Sequence, residues 1–129
     1  MEIICSSAVG AVEHCEDIVQ LDKSILLAAI IENANLLGSY FRRPMVPPNE
    51  ERFKVLRIQT ELMVSMAKNN EDFFGELGYL MFHSKLLDVF LFPLDRNRRL
   101  KILTVAVKRP YDHEEIAKLI QHRARKIKD

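Results

Sequence analysis

The sequence predicts an α/β (α+β) sandwich with the element order α-β-β-α-β-β-β-α. A five-stranded antiparallel sheet carries one long helix on one face and two shorter helices on the other. Three observations carry that prediction. The continuous apolar run Ile25 to Ile31 ends in the Asn-rich segment Glu32-Asn33-Ala34-Asn35, as a strand buried on both faces does before a hairpin turn. From Asn49 to about Asn69 the pattern is helical. Three short strand-like runs then precede an amphipathic C-terminal helix.

Each element has its own local reason. From about Ser6 to Leu21, apolar Ala8, Val12, Cys15, Ile18 and Val19 recur at three- and four-residue steps, turning Glu13, Glu16, Asp17 and Gln20 away. The first strand is expected over Ser24 to Ile31, with Leu36 to Arg43 as its hairpin partner, ended by Pro44. Asn49 is a suitable N-cap for the long helix: Pro47 and Pro48 precede it, and Glu50 and Glu51 lie where the helix dipole favours negative charge. After Gly75 and Gly78 the strands are expected at Leu80 to His83, Leu86 to Phe92 and Leu100 to Lys108. The last helix begins at Asp112 with Glu115 three residues on, a capping-box arrangement. Ile116, Leu119, Ile120, Ala124 and Ile127 line its single apolar face.

The long helix differs from the other two. Phe53, Leu56, Met63, Val64 and Ala67 form one apolar face, and Val55, Ile58, Leu62 and Met66 form a second, with a narrow seam at Arg52 and Gln59. Its main polar stripe is Lys54, Arg57, Glu61, Ser65 and Lys68. A helix apolar over so wide an arc has two sides to bury. One side meets the chain's own sheet; the second is expected to meet another chain, so Val55, Ile58, Leu62 and Met66 are the expected dimer interface. Met63, Met81 and Phe82 are expected in the core.

At 129 residues with 48 % apolar and 29 % charged side chains, the chain has the balance of an ordinary globular protein. Neither side of the Pro44-Met45-Val46-Pro47-Pro48 stretch is large enough for its own core, so residues 1–129 are expected to form a single domain. The longest apolar run is far shorter than the ~20 residues of a membrane span, and Glu2, Glu13, Glu16 and Asp17 spoil a signal-peptide pattern. A cytoplasmic protein without membrane insertion is expected. Of the two cysteines, Cys5 and Cys15, reduced thiols are expected, with a Cys5–Cys15 disulfide as the alternative.

Chemistry-bearing motifs are sparse. His14, His83, His113 and His122 form no i,i+4 pair, so no metal is expected. Ser84 lies beside His83 without the glycines of a nucleophile elbow, and Gly10, Gly38, Gly75 and Gly78 have no phosphate-loop spacing. No enzyme activity, cofactor or catalytic residue is expected. Charge is uneven: residues 1–95 carry 8 Lys+Arg against 14 Asp+Glu, and residues 96–129 carry 11 against 4. Arg96, Arg98, Arg99 and Lys101 surround one hairpin, where charges are usually solvated. Arg123, Arg125, Lys126 and Lys128 complement the last helix's dipole. Without interleaved aromatic residues, neither cluster favours nucleic acid; Arg96, Arg98 and Arg99 are retained as a candidate partner surface.

The order helix, hairpin, long helix, three-strand meander, helix resembles the roadblock (dynein light-chain roadblock-type) family of the profilin-like class. Ser24 to Tyr40 resembles the family's first hairpin, although Ala34-Asn35 stands where Asp-Gly is often found, and Leu77 to Lys108 resembles its meander. The resemblance implies a non-enzymatic module that forms homo- or heterodimers through the long helix and an adjacent strand. It also implies a scaffold or regulator for a small Ras-like GTPase or its regulator. The alternatives are a longin-like adaptor and a PAS- or GAF-like small-ligand sensor, the last requiring an enclosed cavity.

Overall fold

The computed structural model describes residues 10–94 and 100–127. Ala8, expected in the first helix, together with Cys5, Lys128 and the candidate partner surface Arg96, Arg98 and Arg99, lies outside the described residues. Helix α1 spans Ala11–Val19, and strands β1 (Ile25–Glu32) and β2 (Asn35–Phe41) form the first hairpin. Helix α2 (Glu50–Lys68) follows, then a single turn α3 (Glu71–Phe74) that the sequence pattern did not suggest. Strands β3 (Leu80–His83), β4 (Asp88–Pro93) and β5 (Lys101–Val107) and helix α4 (His113–Ala124) complete the chain. The sheet order is β2-β1-β5-β4-β3, with every neighbouring pair antiparallel.

The caps form where the sequence places them. Asn49 Oδ1 accepts the Arg52 N–H at 2.9 Å, and Asp112 Oδ1 accepts the Glu115 N–H at 3.0 Å, each satisfying a donor that the first helical turn leaves open. Glu32 pairs with Asn35, so the hairpin loop is only Asn33-Ala34. Both residues have positive φ, 52° and 67°, as a two-residue turn matched to strand twist requires. Asparagine tolerates that region; alanine does so at a steric cost.

Side chains alternate between the two faces of the sheet. Toward α1 and α4 point Ile25, Ala28 and Ile30 of β1, Phe90 and Phe92 of β4, and Leu103, Val105 and Val107 of β5. They meet Ala11, Cys15, Ile18 and Val19 of α1, and Ile116, Ala117, Ile120 and Ala124 of α4. α1 lies so close to β2 that a Cβ on Gly38 would stand 2.8 Å from both the Ala11 Cβ and the Val12 nitrogen. The Cys15 thiol donates to the Gly38 carbonyl there, at 3.6 Å. Cys15 is a free, fully buried thiol, and burial pushes its pKa up to about 12. The opposite face is far less filled: Val64, Leu91 and Ile102 are the buried members of its cluster, with Met63, Leu77, Leu80, Val89 and Leu100 packed around them.

Several expectations are corrected. Val12 is exposed, and Ala11 takes its place against the sheet. Leu119 stands at the rim of the α4 contact while Ala117 is buried within it. Leu86 precedes β4 and is exposed, because β4 begins only at Asp88. Met81 and Phe82 are exposed rather than core, on β3, an edge strand of the sheet. Lys101, expected among solvated hairpin charges, is 2 % exposed and pairs in register with the likewise buried Glu32. The largest correction concerns Arg57. It belongs to the expected polar stripe, yet it is 8 % exposed and faces inward with Thr60 and Val64. α2 is therefore rolled toward its polar stripe, leaving Leu56, Met63 and Ala67 only half-buried.

Candidate functional site

The roll of α2 places Val55, Ile58, Leu62 and Met66 on the side of the helix opposite Arg57, Thr60 and Val64. Recurring at steps of three and four, the four residues form one continuous stripe. In this chain they are 43, 42, 57 and 66 % exposed. Isolated exposed apolar residues are ordinary, but a four-residue line along one helix is a patch that invites a partner. Lys54 and Gln59, both exposed, border it.

Arg57 sets the roll. Its Nε donates to the Ala34 carbonyl at 3.1 Å, Nη2 pairs with Glu50 at 3.1 Å, and the guanidinium lies 5.1 Å from the centre of the Phe53 ring. A charged group spared from water needs such partners, and the one to Ala34 ties α2 to the strained β1–β2 turn. A mid-helix arginine between Lys54 and Glu61 reads as solvent-facing in sequence, because its acceptor lies 23 residues away. The one available hint was the short turn itself, where a loop carbonyl outside the ladder needs a donor from elsewhere.

At the other end of the sheet, buried Asp88 collects three partners. His83 Nδ1 lies 2.8 Å from its Oδ1, Arg109 Nη1 pairs with the same oxygen, and the Tyr111 hydroxyl donates to Oδ2. Arg109 Nη2 also donates to the Ser84 and Lys85 carbonyls, both at 2.6 Å, clamping the β3–β4 turn. Burial pushes the Asp88 pKa up, but the Tyr111 and His83 hydrogen bonds and the Arg109 charge outweigh it and hold the carboxyl below its usual 3.8. Its ionised form is therefore favoured by folding. That stabilisation is present above pH 3.8 and is lost as pH falls through the lowered value. Tyr111, desolvated and donating to a carboxylate, has its pKa raised. With Arg109 bonded to Asp88 and to the Ser84 and Lys85 carbonyls, the cluster braces the β3–β4 turn.

Between the helices, Arg123 pairs with Asp17 at 2.6 Å and donates toward His14 Nδ1 at 3.3 Å, joining α4 to α1. Burial and the Arg123 charge hold the His14 pKa below 6.5. Among the described residues, no three His, Cys, Asp or Glu side chains come together in a way that could hold a metal ion. No helix among them is long and apolar enough to cross a membrane.

Comparison with known proteins finds no matching family model and no curated protein matching in sequence. Solved structures do match. A Roadblock/LC7 domain from Streptomyces avermitilis superposes with a TM-score of 0.70 at 10 % identity, over 89 % of this chain and 92 % of that one. MglB of Myxococcus xanthus gives a TM-score of 0.73 at 11 % identity, over 97 % and 90 %. The gliding protein MglB from Thermus thermophilus gives 0.67 at 10 % identity, over 95 % and 94 %. The chain has a mixed α/β fold of the profilin-like class. Within that class its architecture is the roadblock fold.

Proposed function

We propose that this chain is a non-enzymatic, dimeric interaction module that scaffolds or regulates a small Ras-like GTPase. The observation that carries the reading is the stripe Val55, Ile58, Leu62 and Met66, which α2 turns to solvent on the side opposite the sheet. Strand β3 ends the sheet, and Phe82, on the same face as Leu80 of the α2-side cluster, is exposed. An open edge strand and an apolar helix stripe are each suited to pairing with a second copy of the chain. The roadblock fold supports the same reading, as does a solved MglB structure described as having a tetrameric arrangement. Arg96, Arg98 and Arg99 are the second contact in this proposal, addressed to the GTPase or its regulator.

Light scattering over a range of concentrations tests the association. The expected mass is twice the 15.0 kDa of one chain. Leu62→Asp places a charge in the stripe and is expected to give a folded monomer or a poorly soluble protein. A concentration-independent monomer for the natural chain, or an unaltered dimer for Leu62→Asp, overturns the stripe as the interface. With a dimer in hand, pull-down against small GTPases in both nucleotide states tests the partner. Reversal of Arg96, Arg98 and Arg99 to Glu is expected to leave folding intact and weaken that capture.

A further inference from the structure

From a separate feature of the fold, we infer that the space between α2 and the sheet is a binding site for a small uncharged aromatic molecule carrying one hydrogen-bonding group. A cavity of about 250 Å³ lies there, floored by Ala29, Thr104 and Ala106 and roofed by Phe53, Leu56 and Thr60. Its origin is visible in the strand register. Ala29 pairs with Thr104, and Ala106 lies between Leu27 and Val89, so small side chains meet at the centre of the sheet. Protein interiors keep few voids larger than a water molecule, and the large side chains of the opposite face close against α1 and α4 as that rule expects.

The lining defines the guest. Thr60 Oγ1 is already committed to the Leu56 carbonyl at 2.8 Å, whereas buried Thr104 Oγ1 has no hydrogen-bond partner. An orphaned buried hydroxyl in an apolar site calls for one donor or acceptor. Arg57 also lines the space, with its Nε donating to Ala34 and its Nη2 paired with Glu50, and the rest of the lining is mostly apolar, which favours an uncharged guest. Phe41 and Phe53, edge to face at 6.3 Å, offer an aromatic wall. An apolar cavity of ~150 Å³ accepts benzene. The larger one here suits a substituted ring or a bicyclic such as p-cresol or indole. This inference does not depend on dimerisation, because the cavity lies on the inner side of α2 and the exposed stripe on the outer side.

Methyl NMR titrations of the full chain with indole and with p-cresol test it. Saturable shifts are expected at Ala29, Ala106 and Thr104, with a melting-temperature rise of about 5 °C at ten times the dissociation constant. Ala106→Leu fills the cavity and is expected to weaken binding at least ten-fold without lowering the ligand-free melting temperature. Thr104→Val keeps the shape but removes the hydroxyl; it is expected to weaken indole several-fold and leave toluene unchanged. Absence of saturable shifts up to the solubility of indole overturns the inference. So do undiminished binding by Ala106→Leu and shifts confined to Leu62 and Met66. Should Ala106→Leu not fold, equal losses of indole and toluene in Thr104→Val overturn the hydroxyl's role and the proposed ligand class with it.

Discussion

One sheet carries two unlike faces. Among the described residues, 17 form a continuous buried cluster against α1 and α4 that includes Phe90, Leu103 and Ile120; against α2, three do. The same strands supply both faces, so the difference lies in what covers them. The two shorter helices send buried side chains into the sheet, and Gly38 lets α1 approach to backbone contact. The long helix instead presents Arg57 and Thr60 to the sheet, leaves space over Ala29 and Ala106, and keeps four large apolar residues outside. One face is densely packed. The other is looser and keeps an apolar stripe exposed.

The largest test of that contrast is truncation on each side. Phe90→Ala is expected to cost about 3–5 kcal/mol in urea unfolding, because a fully buried ring leaves a cavity that close-packed neighbours cannot fill. Leu56→Ala, on the half-buried side of α2, is expected to cost less than about 1.5 kcal/mol. Equal losses would break the comparison. Gly38→Ala sharpens it further. The added methyl has no room between β2 and α1, so about 1–3 kcal/mol should be lost.

Alkaline titration should register on the dense face as well. Cys15 ionises near its ordinary value of 9.0 when unfolded and only near about 12 when folded, so folding favours the neutral thiol. The stability it contributes is complete below pH 9 and falls as pH rises toward 12. The expected slope is about 1 kcal/mol per pH unit above 9, and Cys15→Ala should remove it; an unchanged slope would place the alkaline sensitivity elsewhere. Tyr111, also raised, adds to the fall and is left in that variant. The smallest effect belongs to the turn gripped by Arg57. Ala34→Gly relieves a positive φ of 67° and should add about 0.5–1 kcal/mol, provided the Arg57 bond to the residue 34 carbonyl is kept. A loss of stability there would mean that the alanine methyl has a packing role.

Much of the fold is legible in the sequence because its signals are local. Asn49 and Asp112 announce helix starts through a hydrogen bond three residues long, and both bonds form. The run Ile25 to Ile31 declares a strand covered on both faces, and β1 lies next to the centre of the sheet. The two-sided pattern of α2 is also local, and the stripe Val55, Ile58, Leu62 and Met66 is exposed in the chain. Arg57, Lys101 and Asp88 were not legible in this way. No spacing rule connects Arg57 to Ala34 or Asp88 to Tyr111, and Lys101 is buried only where β5 meets Glu32 of β1.

The sequence by itself thus determined the order of the strands and the longer helices and the caps of α2 and α4, since periodicity and end chemistry depend on neighbours a few residues apart. Tertiary structure alone decided the roll of α2 and the cavity beneath it. A helix with two apolar faces can settle at several rotations at similar cost in buried area. At the rotation observed, Arg57 of α2 donates to the carbonyl of Ala34 in the β1–β2 turn, a contact between elements that no local pattern specifies.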